Sequence, residues 1–418
     1  MDKLIIKGGS PLRGNVSIGG AKNAVLPIMA ATIIKPASYI IKNVPNLRDT
    51  RTMIEILRES GAFIDFNENT LQIDTTNCNN PVAPYELVKT MRASFYMLGP
   101  FMSRFNKAKV SLPGGCAWGP RPVDFHIKAL EKMKANIILQ DGNIICEGRL
   151  KGANINFERK SVGATGNVIM AAATADGKTV ISNAACEPEI VDLCNFMKFI
   201  GVDISGIGTS DLTIEPNNSS VSEIDYTIIP DRIEAGTFMI LALITKGDIK
   251  LNNVEPEHLS DIIIKLKEAG ALIDIIDKSS INVKYGGIIN PVNLETLEYP
   301  GFPTDLQAQW MALMTIASGK SKITENIYKD RFSHVSELIR LGAKIQMDNN
   351  IAYIGGNSIL KSAPVMSTDI RASASLILAA LSAKGESSIS RIYHIDRGYE
   401  KIENKIKLLG GNIERISD

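Results

Sequence analysis

One pattern recurs six times along this chain and limits its fold more than any other feature. The stretches LRESGAFIDF, LEKMKANIIL, MKFIGVDIS, LKEAGALIDI, IRLGAKIQM and IKLLGGNIERI each read as a helix end, a tight turn and an alternating strand. Their turn positions, Gly61, Lys134, Gly201, Gly270, Gly342 and Gly410, lie 67 to 73 residues apart. A second element keeps the same phase. AKNAVLPIMAAT, RASFYMLGPFMS, GATGNVIMAAATA, AGTFMILALIT, DLQAQWMALMTIAS and RASASLILAALSA are short, rich in small residues and apolar nearly all round, as buried helices are. A short strand such as TVISNA or IKLNNV follows each, then an amphipathic helix, the turn and a hairpin, as in ALIDIIDKSSINVKYG.

The last repeat is cut short, with 48 residues from Arg371 to the end. The N-terminal 21 residues, with LIIKGGSPLRGNVSIGG, read as the missing half of a hairpin and are expected to complete the sixth unit. Three units per domain then gives one domain of 22–229 and another of 1–21 plus 230–418, with hinge crossings near 20 and 230. A ligand site is expected in a cleft between two such domains. The alternative is an elongated solenoid. Buried small-residue helices favour closed, globular units over an open stack.

At 418 residues and 44% hydrophobic, the chain has material for a large core and for two or three domains. A net charge of +1 gives no overall field toward nucleic acid or a membrane surface. Five cysteines, at 78, 116, 146, 186 and 194, make no disulfide framework. Without a CxxC pair and with four histidines, no structural zinc site is expected. The start, MDKLIIKGGSPLRG, lacks the apolar stretch of a signal peptide, and no run approaches the roughly 18 apolar residues of a membrane span. A cytoplasmic protein in a reducing compartment is expected.

Within LPGGCAWGPRPVDFHI, Cys116 sits between glycines and a tryptophan, close to Arg121. A structural cysteine is usually buried among apolar neighbours, whereas a thiol near arginines is the more readily ionised. An ordinary loop thiol is the plainer reading. Basic residues recur in phase with the repeats. Lys22, Arg92 and Arg371 each open a small-residue helix, and Arg121, Arg331 and Arg397 fall in the loop after the following strand. Such placement converges cations on one end of each domain, where an arginine fork and helix N-termini suit carboxylate and phosphate.

Together these stretches, with GGAKNAVLP, KTMRAS, SVGAT, PDRIEAGTF, FPTDLQAQ, RASAS and IYHIDRGYE, resemble the enolpyruvyl transferases over essentially the whole chain. The resemblance implies a two-domain inside-out α/β barrel of six βαβαββ repeats, three per domain about a pseudo-threefold axis. It implies transfer of the enolpyruvyl group of phosphoenolpyruvate to the 3'-hydroxyl of UDP-N-acetylglucosamine, with release of phosphate, as the first committed step of peptidoglycan synthesis. A monomer acting on these two small molecules is expected, with no cofactor or metal.

By the same resemblance Lys22, Asn23, Arg121 and Arg397 bind phosphoenolpyruvate, and Cys116 donates a proton to its methylene carbon and is alkylated by fosfomycin. Arg92, Arg121, Pro122, Val123, Asp124, Ser161, Val162, Gly163, Asp305 and Ile327 fall at nucleotide-sugar positions, and Arg331 and Arg371 support them. SVGATG leads into a helix whose amides suit a diphosphate. Asp305 is either an N-cap or the general base for the sugar hydroxyl. Asp231 and Glu234 are read as orienting Lys22 or an arginine, and the other four cysteines as structural. Two rivals remain: a transferase that accepts shikimate 3-phosphate, and a non-catalytic repeat protein with an anion-binding cleft.

Overall fold

Each repeat folds as strand, buried helix, strand, amphipathic helix and hairpin. A computed structural model describes residues 2–89, 91–112, 123–217 and 219–417. Among them the strands form six four-stranded sheets, one per repeat. The fourth repeat shows the plan. Arg13–Ser17 pairs in parallel with Asp248–Asn252, which runs antiparallel to Ser280–Tyr285, which in turn pairs with Ala271–Asp277 at the edge. The six turn positions found in the sequence all adopt positive φ, between 71° and 101°. Glycine takes that conformation without strain, and Lys134 is the exception among the six.

The small-residue segments form the central helices: α1 (Lys22–Ala31), α2 (Leu98–Phe105), α3 (Val162–Ala172), α4 (Arg232–Ile244), α5 (Gln307–Thr315) and α6 (Ile370–Ser382). Nearly every residue in them is buried, because small side chains let helix approach helix. Two of them start later than the sequence suggests. Arg92–Met97 is a 3-10 turn ahead of α2, and Thr304–Leu306 a 3-10 turn ahead of α5. Pro100 contributes to the first, since it has no N–H to donate to Tyr96, whereas α1 accommodates Pro27 within its length.

The chain divides into two compact units, one of residues 1–19 with 230–418 and the other of residues 20–229. Each has its own core, and each is closed by a strand from a distant part of the chain. In the second unit Glu223–Thr227 pairs in parallel with Ser38–Lys42 of the first repeat. In the first unit Lys3–Gly8 lies in the sixth sheet, with Leu4 opposite both Ile389 and Arg415. The following strand, Arg13–Ser17, belongs to the fourth sheet instead. The N-terminal segment therefore serves two repeats, where the sequence pointed to the sixth alone. No helix among the described residues is long and apolar enough to cross a membrane.

Candidate active site

In the unit containing 230–418, charge gathers where α5 and α6 begin. Asp305, in the 3-10 turn before α5, holds two guanidiniums: Arg331 at 2.8 Å on Oδ1 and Arg371 at 2.6 Å on Oδ2. The N-cap positions here are held by Pro303, for the 3-10 turn, and Leu306, for α5. Arg371 is the second residue of α6, whose own cap is Asp369, accepting from the N–H groups of Arg371 and Ala372. Burial pulls the Arg371 pKa down, but the Asp305 carboxylate, with Tyr399 and Asp231, outweighs it and leaves it raised. Arg331 also donates to Thr304 Oγ1, which donates to the buried Glu325. Glu325 in turn accepts the N–H of Ile327 at 2.9 Å. Asp305, Arg331, Arg371 and Ile327 thus form one connected network.

Arg397 ends the 3-10 turn Ile392–Arg397, beside this network. Gly398 next to it has no room for a side chain, since a Cβ would lie 2.5 Å from Ile370 and 3.8 Å from an Arg371 nitrogen. Asp396 is gripped through both carboxylate oxygens by Arg415, which also reaches Glu403. Below, the buried Tyr399 hydroxyl bonds Thr237 of α4 and Gln309 of α5. Of the two acids read as orienting Lys22 or an arginine, Asp231 adds to the field on Arg371. Asp231 caps α4, and Glu234 pairs with Lys405 at 2.7 Å while accepting the Gly19 N–H. Both are helix-end carboxylates, and the acid beside Lys22 is Asp49, at 3.4 Å with both residues buried.

The 20–229 unit places its residues differently. Lys22 and the half-buried Asn23 form the first turn of α1, which packs on the Arg92–Met97 turn. Ser161 caps α3, its hydroxyl accepting from Ala164 N–H, so Val162 and Gly163 present the first-turn amides. Asp124 opens the Asp124–Lys132 helix after Val123, and its Oδ1 is buried with no partner among the described residues. The His126 ring, two residues on, lies against Gly163, where a Cβ would come within 3.2 Å of Cε1 and Nε2. Burial lowers the His126 pKa to about 4, so the imidazole is neutral. Cys116, Arg121 and Pro122 lie outside the described residues, as does the Arg92 side chain. Burial pushes the Cys146 and Cys194 thiols up to about 12 and raises that of Cys78, which makes all three poor nucleophiles.

Residues 6–406 match the family model of EPSP synthase (3-phosphoshikimate 1-carboxyvinyltransferase). The chain belongs to this enolpyruvyl transferase family. Within the family, a UDP-N-acetylglucosamine 1-carboxyvinyltransferase of Geotalea uraniireducens is 52% identical over 420 residues, covering 100% of both chains. Another, of Chloroherpeton thalassium, is 52% identical over 99% of this chain and 97% of its own. Among solved structures, the enolpyruvyl transferase NikO of Streptomyces tendae superposes with a TM-score of 0.90 at 23% identity, over 100% of this chain and 99% of its own. An EPSP synthase of Acinetobacter baumannii does so at 0.77 and 17%, over the whole of both chains. These two likenesses bear on the fold, and they agree with the inside-out barrel that the resemblance implied.

Sequence reasoning missed several residues that hold these elements in place. Glu325 and Tyr399 in one unit and Asn167 in the other are buried polar groups, and the side-chain partners of Tyr399 and Asn167 lie 41 to 162 residues away. Only His126 carried a signal, as the imidazole closing the cysteine-loop motif.

Proposed function

We propose that the chain transfers the enolpyruvyl group of phosphoenolpyruvate to the 3'-hydroxyl of UDP-N-acetylglucosamine, releasing phosphate, as the first committed step of peptidoglycan synthesis. The observation that carries this is full-length identity of 52% to relatives named for that activity. On this reading Lys22, Asn23, Arg121 and Arg397 hold the phosphate and carboxylate of phosphoenolpyruvate. Arg92, Arg121, Pro122, Val123, Asp124, Ser161, Val162, Gly163 and Ile327 hold the nucleotide sugar. The cap at Ser161 and the first-turn amides of α3 suit an anion, as helix N-termini do. The protein works as a cytoplasmic monomer, where both substrates are made.

Three proton movements are required. The acceptor hydroxyl loses a proton as its oxygen bonds to the central carbon of phosphoenolpyruvate, and the methylene carbon gains one, a step assigned to Cys116. Loss of phosphate and of one methyl proton then restores the double bond. Asp305 is the base assigned to the hydroxyl. Each of its oxygens is held by a guanidinium, so the acceptor hydroxyl must take the place of Arg331 or Arg371 on one of them to give up its proton there. The test is phosphate release from phosphoenolpyruvate with UDP-N-acetylglucosamine and, separately, with shikimate 3-phosphate, before and after fosfomycin. Release with the nucleotide sugar alone, abolished together with mass added at Cys116, is the expected result. Release with shikimate 3-phosphate instead overturns the acceptor, and release with neither overturns the enzyme.

A further inference from the structure

Asn167, in the second turn of α3, is fully buried and ties together three elements. Its Oδ1 accepts the Gly99 N–H at 2.9 Å. Its Nδ2 donates to the Phe95 carbonyl at 2.9 Å and lies 2.7 Å from His126 Nδ1. The amide has one sensible orientation, because turning it over would set its oxygen against the Phe95 carbonyl and its NH2 against the Gly99 N–H. Since Nδ2 then meets His126 Nδ1 as a donor, that nitrogen is the acceptor and the imidazole proton sits on Nε2.

The ring so fixed has little freedom. Phe95 meets it edge-on at 5.2 Å and 82°, and a Cβ at Gly163 would press on it at 3.2 Å. Gly99 is held as closely, for a Cβ there would fall 2.5 Å from the Asn167 carbonyl. One amide therefore sets the spacing of the turn that carries Arg92, the helix that begins at Asp124 and the capped N-terminus of α3.

We propose that Asn167, acting through His126, is a positioning residue for the acceptor substrate: it sets Asp124 and the Ser161–Val162–Gly163 turn at the spacing the nucleotide sugar needs. This rests on the assignment of those four residues to the acceptor. Asn167 touches no substrate, so its loss is felt in acceptor binding and not in the handling of phosphoenolpyruvate.

The test is steady-state phosphate release by the full chain and by the Asn167→Ala and His126→Gln variants, each corrected for folded fraction by near-ultraviolet circular dichroism. The expected result is a KM for UDP-N-acetylglucosamine raised about tenfold in Asn167→Ala, as loss of a buried hydrogen bond allows, and raised in His126→Gln too. The KM for phosphoenolpyruvate stays within about twofold of the parent, on the same scale. Imidazole 15N shifts of the parent are expected to show the Nε2–H tautomer for His126, a readout independent of either variant. Equal rises in both KM values, an unchanged acceptor KM in both variants, or an Nδ1–H tautomer would overturn the proposal. An inactive parent overturns the functional reading beneath it, which is a different outcome from an active parent with an unmoved acceptor KM.

Discussion

The two units start their central helices from the same backbone plan and fill it with different chemistry. In the 230–418 unit the network is charged, one carboxylate between two guanidiniums, with Glu325 and Asp369 holding its edges. In the 20–229 unit a buried Lys22–Asp49 pair stands at the start of α1, but the link joining α3 to the Arg92–Met97 turn and the Asp124–Lys132 helix is neutral, an amide and an uncharged imidazole. A buried ion network is strongly destabilised when one member is removed, because the others keep their charge in a poorly solvated place. A neutral network loses only its hydrogen bonds. The charged side can exchange a partner for a substrate hydroxyl or anion, whereas the neutral side is suited to fixing distances.

That contrast is open to direct attack. The largest effect is expected from Asp305→Ala, which leaves the buried Arg371 and the partly buried Arg331 without their carboxylate. Urea denaturation should show a loss of about 3–5 kcal/mol, and phosphate release should fall by about two orders of magnitude or more. Asn167→Ala should cost about 1–3 kcal/mol in the same assay. Equal costs for the two would erase the distinction between charged and neutral networks.

Acidification probes both units at once. Burial lowers the pKa of His126 and of His334 to about 4, from an ordinary value near 6.5. Each is more easily protonated in the unfolded chain, so its contribution is full above about pH 6.5 and is lost as pH falls through about 4. Stability should decline across that window by up to about 3 kcal/mol per histidine. His126→Gln and His334→Gln should each remove part of the slope. A slope unchanged in the double variant would place the acid sensitivity elsewhere.

The smallest effect sharpens the comparison at the level of single turns. Lys134 holds a φ of 71° where the other five repeats have glycine. Lys134→Gly should raise stability by about 0.5–1 kcal/mol, the relief of left-handed strain less the entropy glycine adds to the unfolded chain. Thermal melting is sufficient to see it, and a lower melting temperature would mean that the Lys134 side chain contributes more than its backbone strain costs.

What the sequence made legible was whatever has to be written locally. A left-handed turn selects glycine, a buried helix selects small apolar residues, and six copies made both visible. Arg371 was found because it recurs in phase at a helix start and Arg331 because it recurs in the loop after the following strand, while Asp305 came with the family resemblance; the partnership among them was not legible. The contacts of Asn167 span 41 to 72 residues and follow no period, so nothing in the chain marked it. Glu234 was marked by its motif but its partner was not, since that lysine lies 171 residues away. Pro100 did contribute to the break before α2, but the apolar character of the segment hid it.

The strand pairings have one more consequence, for the order in which the chain must be read. Ser417 and Asp2 are hydrogen-bonded at 2.9 Å, and Lys3–Gly8 pairs with Asn412–Ile416, so the two ends of the described chain meet in one sheet. Linear order is therefore almost incidental to this architecture. A circular permutant opened between Ile229 and Pro230, with the old ends joined, would keep every pairing described above. It would also turn the interrupted unit into a single continuous length of chain, and the shuttling of the polypeptide between units would drop from two passages to one.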